Sequence, residues 1–352
     1  MEKFLPEICT IQYGFPFDSA KFSTSEGMPL IRIRDVVRGY SETFTTEEYK
    51  EEYIVSKDDL LIGMDGEFNI AKWGETPALL NQRVCRLFPT SEVDKNYLFY
   101  FMPSALKRIE EKTPFVTVKH LSAKELNKVK VPLPPLDEQR RIAAMLDKVS
   151  GLIAKRREQL DKLDELVKAR FVEMFGDPIK NEKGFPTITG QDFFKLSNGK
   201  FVPENKRFDN GVPAYGGNGI SWYTDEILYH NDTIVVGRVG FQSGNVHLAK
   251  GPLWITDNAM YISDYDSDKY DLRFLYALME HINFTRFQDA GDLKKITQKP
   301  FMSMEYITPT LKQQQEYVVF VEQTEKSKLT IQQSLDKLEV LKKALIQQYF
   351  ET

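Results

Sequence analysis

The chain has 352 residues, 41% hydrophobic, 12% aromatic and 28% charged, with a net charge of −4 and two cysteines. This supports about two cored domains of the ordinary ~100–200 residues, and it excludes a disulfide framework or a zinc site, because Cys9 and Cys85 stand apart from each other and from any histidine cluster. No apolar run approaches the roughly 18 residues of a membrane span, and Met1-Glu2-Lys3-Phe4 lacks the basic-then-apolar pattern of a secretory leader, so a soluble, cytoplasmic protein with no membrane partner is expected.

The first 135 residues read as a mainly-β domain with short helices. Leu30-Ile31-Arg32-Ile33-Arg34 alternates apolar and basic side chains as a strand does, and Tyr53-Ile54-Val55 and Leu60-Leu61-Ile62-Gly63 are further strand-like runs closely punctuated by glycine and proline. Residues 40–59 are acidic, with Glu42, Glu47, Glu48, Glu51, Glu52, Asp58 and Asp59, whereas residues 107–130 are basic, with Lys107, Arg108, Lys112, Lys119, Lys124, Lys128 and Lys130. One basic face can therefore coexist with a negative total. A helix is expected around Tyr97 to Ile109.

The run Val131-Pro132-Leu133-Pro134-Pro135-Leu136 marks a helix start, since proline is tolerated at a helix entrance and not within. From residue 137 to 175, Leu146, Val149, Ile153, Arg156, Leu160, Leu163, Val167, Arg170 and Met174 follow a 3,4 alternation that predicts a coiled-coil seam. A helix of about 39 residues is roughly 58 Å long and can act as a ruler.

Residues 178–310 repeat the first domain's style, with strands at Thr233–Val236 and Ala259–Ile262 and a helix around Leu272 to Phe284. Thr308-Pro309-Thr310-Leu311 marks a second helix start near residue 312. Its seam is Val321, Thr324, Lys328, Ile331, Leu335, Leu338, Lys342, Leu345 and Tyr349, weakened by Thr324, Lys328 and Lys342. The expected organisation is an α+β chain with recognition-type domains at 1–135 and 178–310 and long helices at 136–177 and 311–352. The helices are expected to form an antiparallel coiled coil within a pseudo-two-fold internal repeat.

The repeat is explicit. Residues 160–175, LDKLDELVKARFVEMF, align without gaps on 335–350, LDKLEVLKKALIQQYF, 175 positions on. The same offset joins Pro134 to Pro309, Leu136 to Leu311, Gln139 to Gln314, Lys119 to Lys294 and Lys124 to Lys299. Upstream, Leu60–Gly63 resembles Ile234–Gly237, and Asn81 stands 177 residues before Asn258.

Catalytic patterns do not assemble. An amino-methyltransferase needs Pro-Pro followed by an aromatic and preceded by Asn or Asp, and Leu133-Pro134-Pro135-Leu136 lacks both flanks. Tyr215-Gly216-Gly217-Asn218-Gly219 does not follow a predicted strand and open a long helix, as a nucleotide-binding loop must, so a turn is expected there. Glu204-Asn205-Lys206 matches half of a nuclease motif, a match this charge content produces by chance. His120, His230, His247 and His281 lack zinc spacing and nucleophile partners. No catalytic residue, metal site or bound cofactor is expected.

The chain does carry side chains suited to a duplex. Arg32, Arg34, Lys72, Gln82, Arg83, Lys119 and Lys124 stand in the first domain, and Lys200, Lys206, Arg207, Tyr215, Asn218, Arg238, Asn245, Lys294, Lys295 and Lys299 in the second. Arginine suits guanine edges, Asn or Gln suits adenine, and lysine mostly meets phosphate. The ordinary alternative for Arg34 or Arg238 is a surface ion pair.

This order of parts, with Pro29-Leu30-Ile31-Arg32-Ile33-Arg34-Asp35, Leu133-Pro134-Pro135-Leu136-Asp137-Glu138-Gln139, Phe175-Gly176-Asp177-Pro178 and Trp254-Ile255-Thr256-Asp257-Asn258-Ala259, resembles the specificity subunits of type I restriction-modification systems over the whole chain. The resemblance implies a non-catalytic reader of a bipartite double-stranded DNA site, each domain taking one half and the helix pair setting the spacer. It implies modification (methyltransferase) subunits as partners, two copies by the repeat, and restriction (motor nuclease) subunits. AdoMet, ATP and Mg are then expected on those partners. Gln139-Arg140-Arg141-Ile142 becomes Gln314-Gln315-Glu316-Tyr317, and Pro135 becomes Thr310, so the second helix differs in partner binding or in its cap. The competing readings are a protein–protein adaptor and a DNA-modifying enzyme with an unrecognised active site.

Overall fold

The computed structural model describes residues 1–74, 76–113, 119–291 and 294–350, and the last two residues of the second expected helix lie outside these. Packing divides the chain inside its two long helices. One compact unit comprises Met1–Arg157 with Gln333–Thr352, and the other comprises Glu158–Gln332.

In the first unit an antiparallel sheet runs in the order Cys9–Tyr13, Val84–Pro89, Leu60–Gly63, Asn69–Lys72. Leu60, Leu61 and Ile62 are all fully buried, which explains why this strand reads as a continuous apolar run. One sheet face packs Leu60, Ile62, Cys85 and Leu87 on the helix Lys95–Lys112 and on Ile142, Ala143 and Leu146 of the first long helix. The other packs Leu61 and Val84 on Ile31, Val36, Val55, Trp73 and Leu80. Both cysteines are buried thiols, and burial pushes each up to about 12.

The second unit repeats this plan. Its sheet runs Phe194–Asn198, Ala259–Tyr265, Thr233–Gly237, Val246–Ala249 in the same order and sense. Each unit adds a parallel strand pair, Met28–Ile31 on Ala78–Leu80 in the first and Val212–Gly216 on Trp254–Ile255 in the second. Each also has a glycine where backbones cross. A Cβ on Gly14 would stand 2.0 Å from the Asn81 carbonyl oxygen, and one on Gly199 would stand 2.0 Å from that of Thr256. Asn81 therefore corresponds to Thr256, not to Asn258. The strands Val84–Pro89 and Ala259–Tyr265 keep the 175-residue offset of the helices, whereas Cys9–Tyr13 and Phe194–Asn198 begin 185 residues apart.

Two sequence expectations shift locally. The strand predicted through Arg34 ends at Ile31, and Ile33–Arg38 is a short helix. The buried Asp35 carboxylate accepts the Arg32 N–H at 2.9 Å and the Ser41 hydroxyl at 3.2 Å, and this local closure overrides a short alternating pattern. The Tyr215–Gly219 segment follows a strand, Val212–Gly216, but opens another, Gly219–Thr224, so it is a hairpin turn.

The long helices are Leu136–Phe175 and Leu311–Phe350, 40 residues each. Gln139 and Gln314 fix these starts and are almost fully buried. The Gln139 side-chain oxygen accepts the Asp94 N–H at 2.9 Å, and its side-chain amide N–H groups donate to the carbonyls of Glu92 and Pro134. Gln314 does the same with Asp271, Lys269 and Pro309. Asp94 and Asp271 in turn cap the helices Lys95–Lys112 and Leu272–Ile282 through the first free N–H groups. The substitution of Thr310 for Pro135 builds a capping box, in which the Thr310 hydroxyl accepts the Gln313 N–H and the Gln313 side chain accepts the Thr310 N–H.

Within each unit the two helix segments run antiparallel. In the first, Arg157 pairs with Glu339 at 2.7 Å, while Leu146 shares a core with Leu345 and Ile346. In the second, Asp164 pairs with Lys328 at 2.7 Å, and the Phe171 ring meets Tyr317 at 5.5 Å. Leu146, Val149, Ile153 and Leu335 are buried, and Leu160, Leu163, Val167, Val321, Ile331, Leu338 and Leu345 are half-buried. The weak seam positions are locally satisfied. The Thr324 hydroxyl donates to the Phe320 carbonyl at 2.9 Å, Lys328 bonds Asp164 and Glu325, and the Lys342 ammonium lies over the Tyr100 ring at 5.9 Å.

Among the described residues no helix is long and apolar enough to cross a membrane.

Candidate nucleic-acid interface

Three backbone segments meet at one corner of each unit, and the same hydrogen bonds hold them. In the first unit the Met64 N–H donates to the Arg83 carbonyl at 2.9 Å, the Leu121 N–H to Met64 at 2.7 Å, and the Gly66 N–H to Lys119 at 2.9 Å. In the second the Arg238 N–H donates to Asn258 at 2.9 Å, the Ile296 N–H to Arg238 at 3.0 Å, and the Gly240 N–H to Lys294 at 2.8 Å. The corner thus gathers the loop after the central strand, the turn before the next ladder partner, and the segment at Lys119–His120 or Lys294–Lys295.

Equivalent positions carry different chemistry. Arg83 corresponds to Asn258, Met64 to Arg238, and His120 to Lys295. In the first unit Asp65 is the hub, with His120 Nδ1 at 2.5 Å from one carboxylate oxygen and Arg83 Nε at 3.7 Å from the other. Arg83 and His120 are both just over half exposed, so Asp65 anchors a guanidinium and an imidazole that each keep part of their surface in solvent. Gln82 is exposed beside them, and its N–H donates to Asn81 Oδ1 and the Phe15 carbonyl. A Cβ on Gly63, which opens this loop, would lie 3.4 Å from the Ile33 side chain, and Ile33 stands between the exposed Arg32 and Arg34. Arg34 lies 3.6 Å from Asp35.

The remaining candidates of this unit are placed otherwise. The Lys119 ammonium donates to the Glu110 carbonyl at 2.9 Å and is only 22% exposed, so it ties down the end of a helix. Lys72 lies over Phe99 at 5.0 Å and 4.0 Å from Asp147, facing the long helix. Lys124 is exposed on the short helix Ala123–Leu126.

In the second unit the corner opens into a cleft of about 460 Å³, lined by Phe201, Arg207, Gly217, Asn218, Trp222, Phe241, Gln242, Asp257 and Asn258 among others. Arg207 lies over the Trp222 ring at 5.2 Å and donates to the Val202 carbonyl. Asn218 is exposed at the hairpin turn, and Tyr215 lies just before it with a hydroxyl pushed up by burial. Arg238 reaches the Asp257 carbonyl at 3.5 Å, and Asn245 closes its loop by bonding Gln242. Lys200 and Lys295 are exposed beside the cleft and Lys294 is half-buried. Lys206 is paired with Glu226, and Lys299 starts the short helix Lys299–Ser303 and does not line the cleft.

Sequence reasoning missed Asp65, His120 and Asn258 as members of a site, along with Phe201, Trp222 and Phe241. Only the 175-residue offset, carried into the loops, would have drawn Asn258 and Arg83 together. Among the described residues no group of three or more His, Cys, Asp or Glu side chains is placed to hold a metal ion.

The family model for the type I restriction modification DNA specificity domain matches residues 1–164 and again 182–342. The chain belongs to this specificity-domain family. Its two matches carry the internal repeat, and each ends inside a long helix. The type I restriction enzyme EcoBI specificity subunit of Escherichia coli is 39% identical over 166 residues, 47% of this chain and 35% of that protein. The MjaVIII specificity subunit of Methanocaldococcus jannaschii is 23% identical over 255 residues, 63% of this chain and 59% of that one. The chain thus spans about a third to three fifths of the length of these two relatives. The crystal structure of a type I restriction-modification S subunit from M. genitalium superposes with a TM-score of 0.67 at 15% identity, covering 99% of this chain and 96% of that one. That likeness shows that the specificity-domain chain shares the S-subunit fold.

Proposed function

We propose that this chain is the DNA-reading specificity subunit of a type I restriction-modification complex, with each unit reading one half of a bipartite site. The observation that carries this is the paired corner. The same three backbone segments, held by the same hydrogen bonds, present Arg83, His120 and Gln82 in one unit and Arg238, Asn258 and Lys295 in the other. A conserved frame with exchanged donors and acceptors is what reading two different half-sites requires, since bidentate arginine favours guanine and asparagine favours adenine.

In this reading the chain supplies position and not chemistry. Catalysis resides in modification subunits that hold AdoMet and in restriction subunits that use ATP and Mg, docked on the exposed faces of the long helices. The repeat suits two copies of the modification subunit. Forty continuous helical residues, about 60 Å, give a spacer that loop changes cannot alter.

The test is the affinity of the purified chain for duplex DNA as salt is raised. A reader that neutralises phosphates loses affinity linearly on a log–log plot, at about 0.9 per phosphate contacted. Salt-independent or undetectable DNA binding by a folded chain that captures other proteins would replace this reading with an adaptor.

A further inference from the structure

Phe241, in the loop Arg238–Asn245 of the second unit, is 85% exposed, and Phe201 across the cleft is 64% exposed. The loop that carries Phe241 is firmly braced. The Gln288 side-chain amide donates to the Phe241 carbonyl at 3.1 Å and to that of Ser243 at 2.6 Å. The Ser243 N–H donates to Gly240, and the Gly244 N–H donates to Gly237 at 2.8 Å. Gly240 and Gly244 hold φ near 93° and 90°, a backbone open to glycine at little cost. An ordered loop therefore holds a large apolar ring in water, across the cleft from a second exposed ring, Phe201.

The first unit lacks this feature. Its corresponding loop, Met64–Phe68, is shorter, and its Phe68 is 7% exposed and belongs to the core. Arg207 lines the cleft with Phe241, and Lys200, Arg238 and Lys295 adjoin its lining residues Phe201 and Val239, against Asp257 in the lining and the exposed Asp289, whose N–H bonds the Lys295 carbonyl. An exposed apolar ring in a cleft flanked by cationic side chains has the chemistry of a side chain that enters a base stack while its neighbours hold phosphate.

We propose that Phe241 is a wedge that inserts at one base step of the half-site read by the second unit, and that the first unit reads its half without one. This rests on the DNA-reading function proposed above. Insertion unstacks a step, so the second half-site should favour a pyrimidine–purine step at that position, because such steps open most easily. Phe241 is then a specificity residue that makes no hydrogen bond to a base.

The experiment uses the full chain and duplexes carrying its methylation-mapped site, with 2-aminopurine placed at successive positions of both halves. The expected result is brightening at one step in the second unit's half. Phe241→Ala abolishes it and lowers affinity about ten- to a hundredfold, the range of one lost stacking contact. Phe241→Trp retains both, and circular dichroism shows all three proteins equally folded. An unchanged affinity and 2-aminopurine profile in folded Phe241→Ala overturns the wedge and leaves the DNA-reading function intact. Absence of salt-dependent duplex binding by the unaltered chain overturns that function itself.

Discussion

The Phe350 ring, on the last turn of the second long helix, meets the Tyr97 ring edge-on with centroids 5.1 Å apart. Phe175, its repeat partner on the first helix, meets Phe274 edge-on at 4.9 Å, and Phe274 begins its helix as Tyr97 does. Each helix end is thus a plug for the core of one unit, and the last turn of the second helix closes the first unit. Phe350→Ala should cost about 3–5 kcal/mol of that unit's stability, because a buried ring is removed from a core that collapses only in part. Urea unfolding followed by the near-ultraviolet signal measures it, and a loss below about 1 kcal/mol would show that the plug is dispensable.

Gln139 and Gln314 predict a matched pair of effects. Each buried amide serves three backbone groups, so alanine at either position leaves the Asp94 or Asp271 N–H and two carbonyls without a protein partner. Removing one partner of a buried hydrogen bond costs about 1–3 kcal/mol. Both variants should fall in or above that range in thermal unfolding, each acting on its own unit. A marked inequality between them would contradict the equivalence of the two helix starts.

Lys328 predicts the opposite sign. Its side chain is 23% exposed at a seam position, and its partners Asp164 and Glu325 are each more than half exposed. Those carboxylates remain hydrated when the lysine is replaced, so Lys328→Leu should raise the melting temperature of the second unit by a few degrees. Calorimetry decides this, and a lowered midpoint would show that the ion pairs outweigh the apolar gain.

The two corners predict separable changes in recognition. Arg83→Ala should alter the base accepted at one position in one half-site, at about 1–3 kcal/mol of discrimination, and Arg238→Ala should do so in the other. Asp65→Asn should weaken the same position as Arg83→Ala, because Asp65 orients that guanidinium. Binding competition with single-base variants of the site reads each effect. Uniform weakening on every sequence, including random DNA, would make these residues phosphate contacts.

The periodic parts of this architecture were legible in the sequence because the physics that builds them is local. Leu146, Val149, Ile153 and Leu335 mark a seam by spacing alone, and the Pro-Pro break marks a start. The Arg32-Ile33-Arg34 segment alternates as a strand does yet opens a helix, because that helix depends on Asp35 reaching back to the Arg32 N–H, a bond that alternation does not encode. The corners were half legible. Arg83 and Arg238 are recognisable as suitable donors, but the pairing of Asp65 with His120 joins residues 55 positions apart, and no local pattern announces it. Lys119 and Lys72 look like free cations in the sequence, and only packing reveals their bonds to Glu110 and Asp147.

Whether one chain reads two half-sites is decided by co-expressing it with its modification subunit in a methylation-free host and mapping N6-methyladenine across the genome by single-molecule sequencing. A reader of two half-sites gives a split motif with a fixed gap, present only when both proteins are present, whose halves change independently with Arg83→Ala and Arg238→Ala. A continuous motif, or methylation by this chain alone, would contradict it.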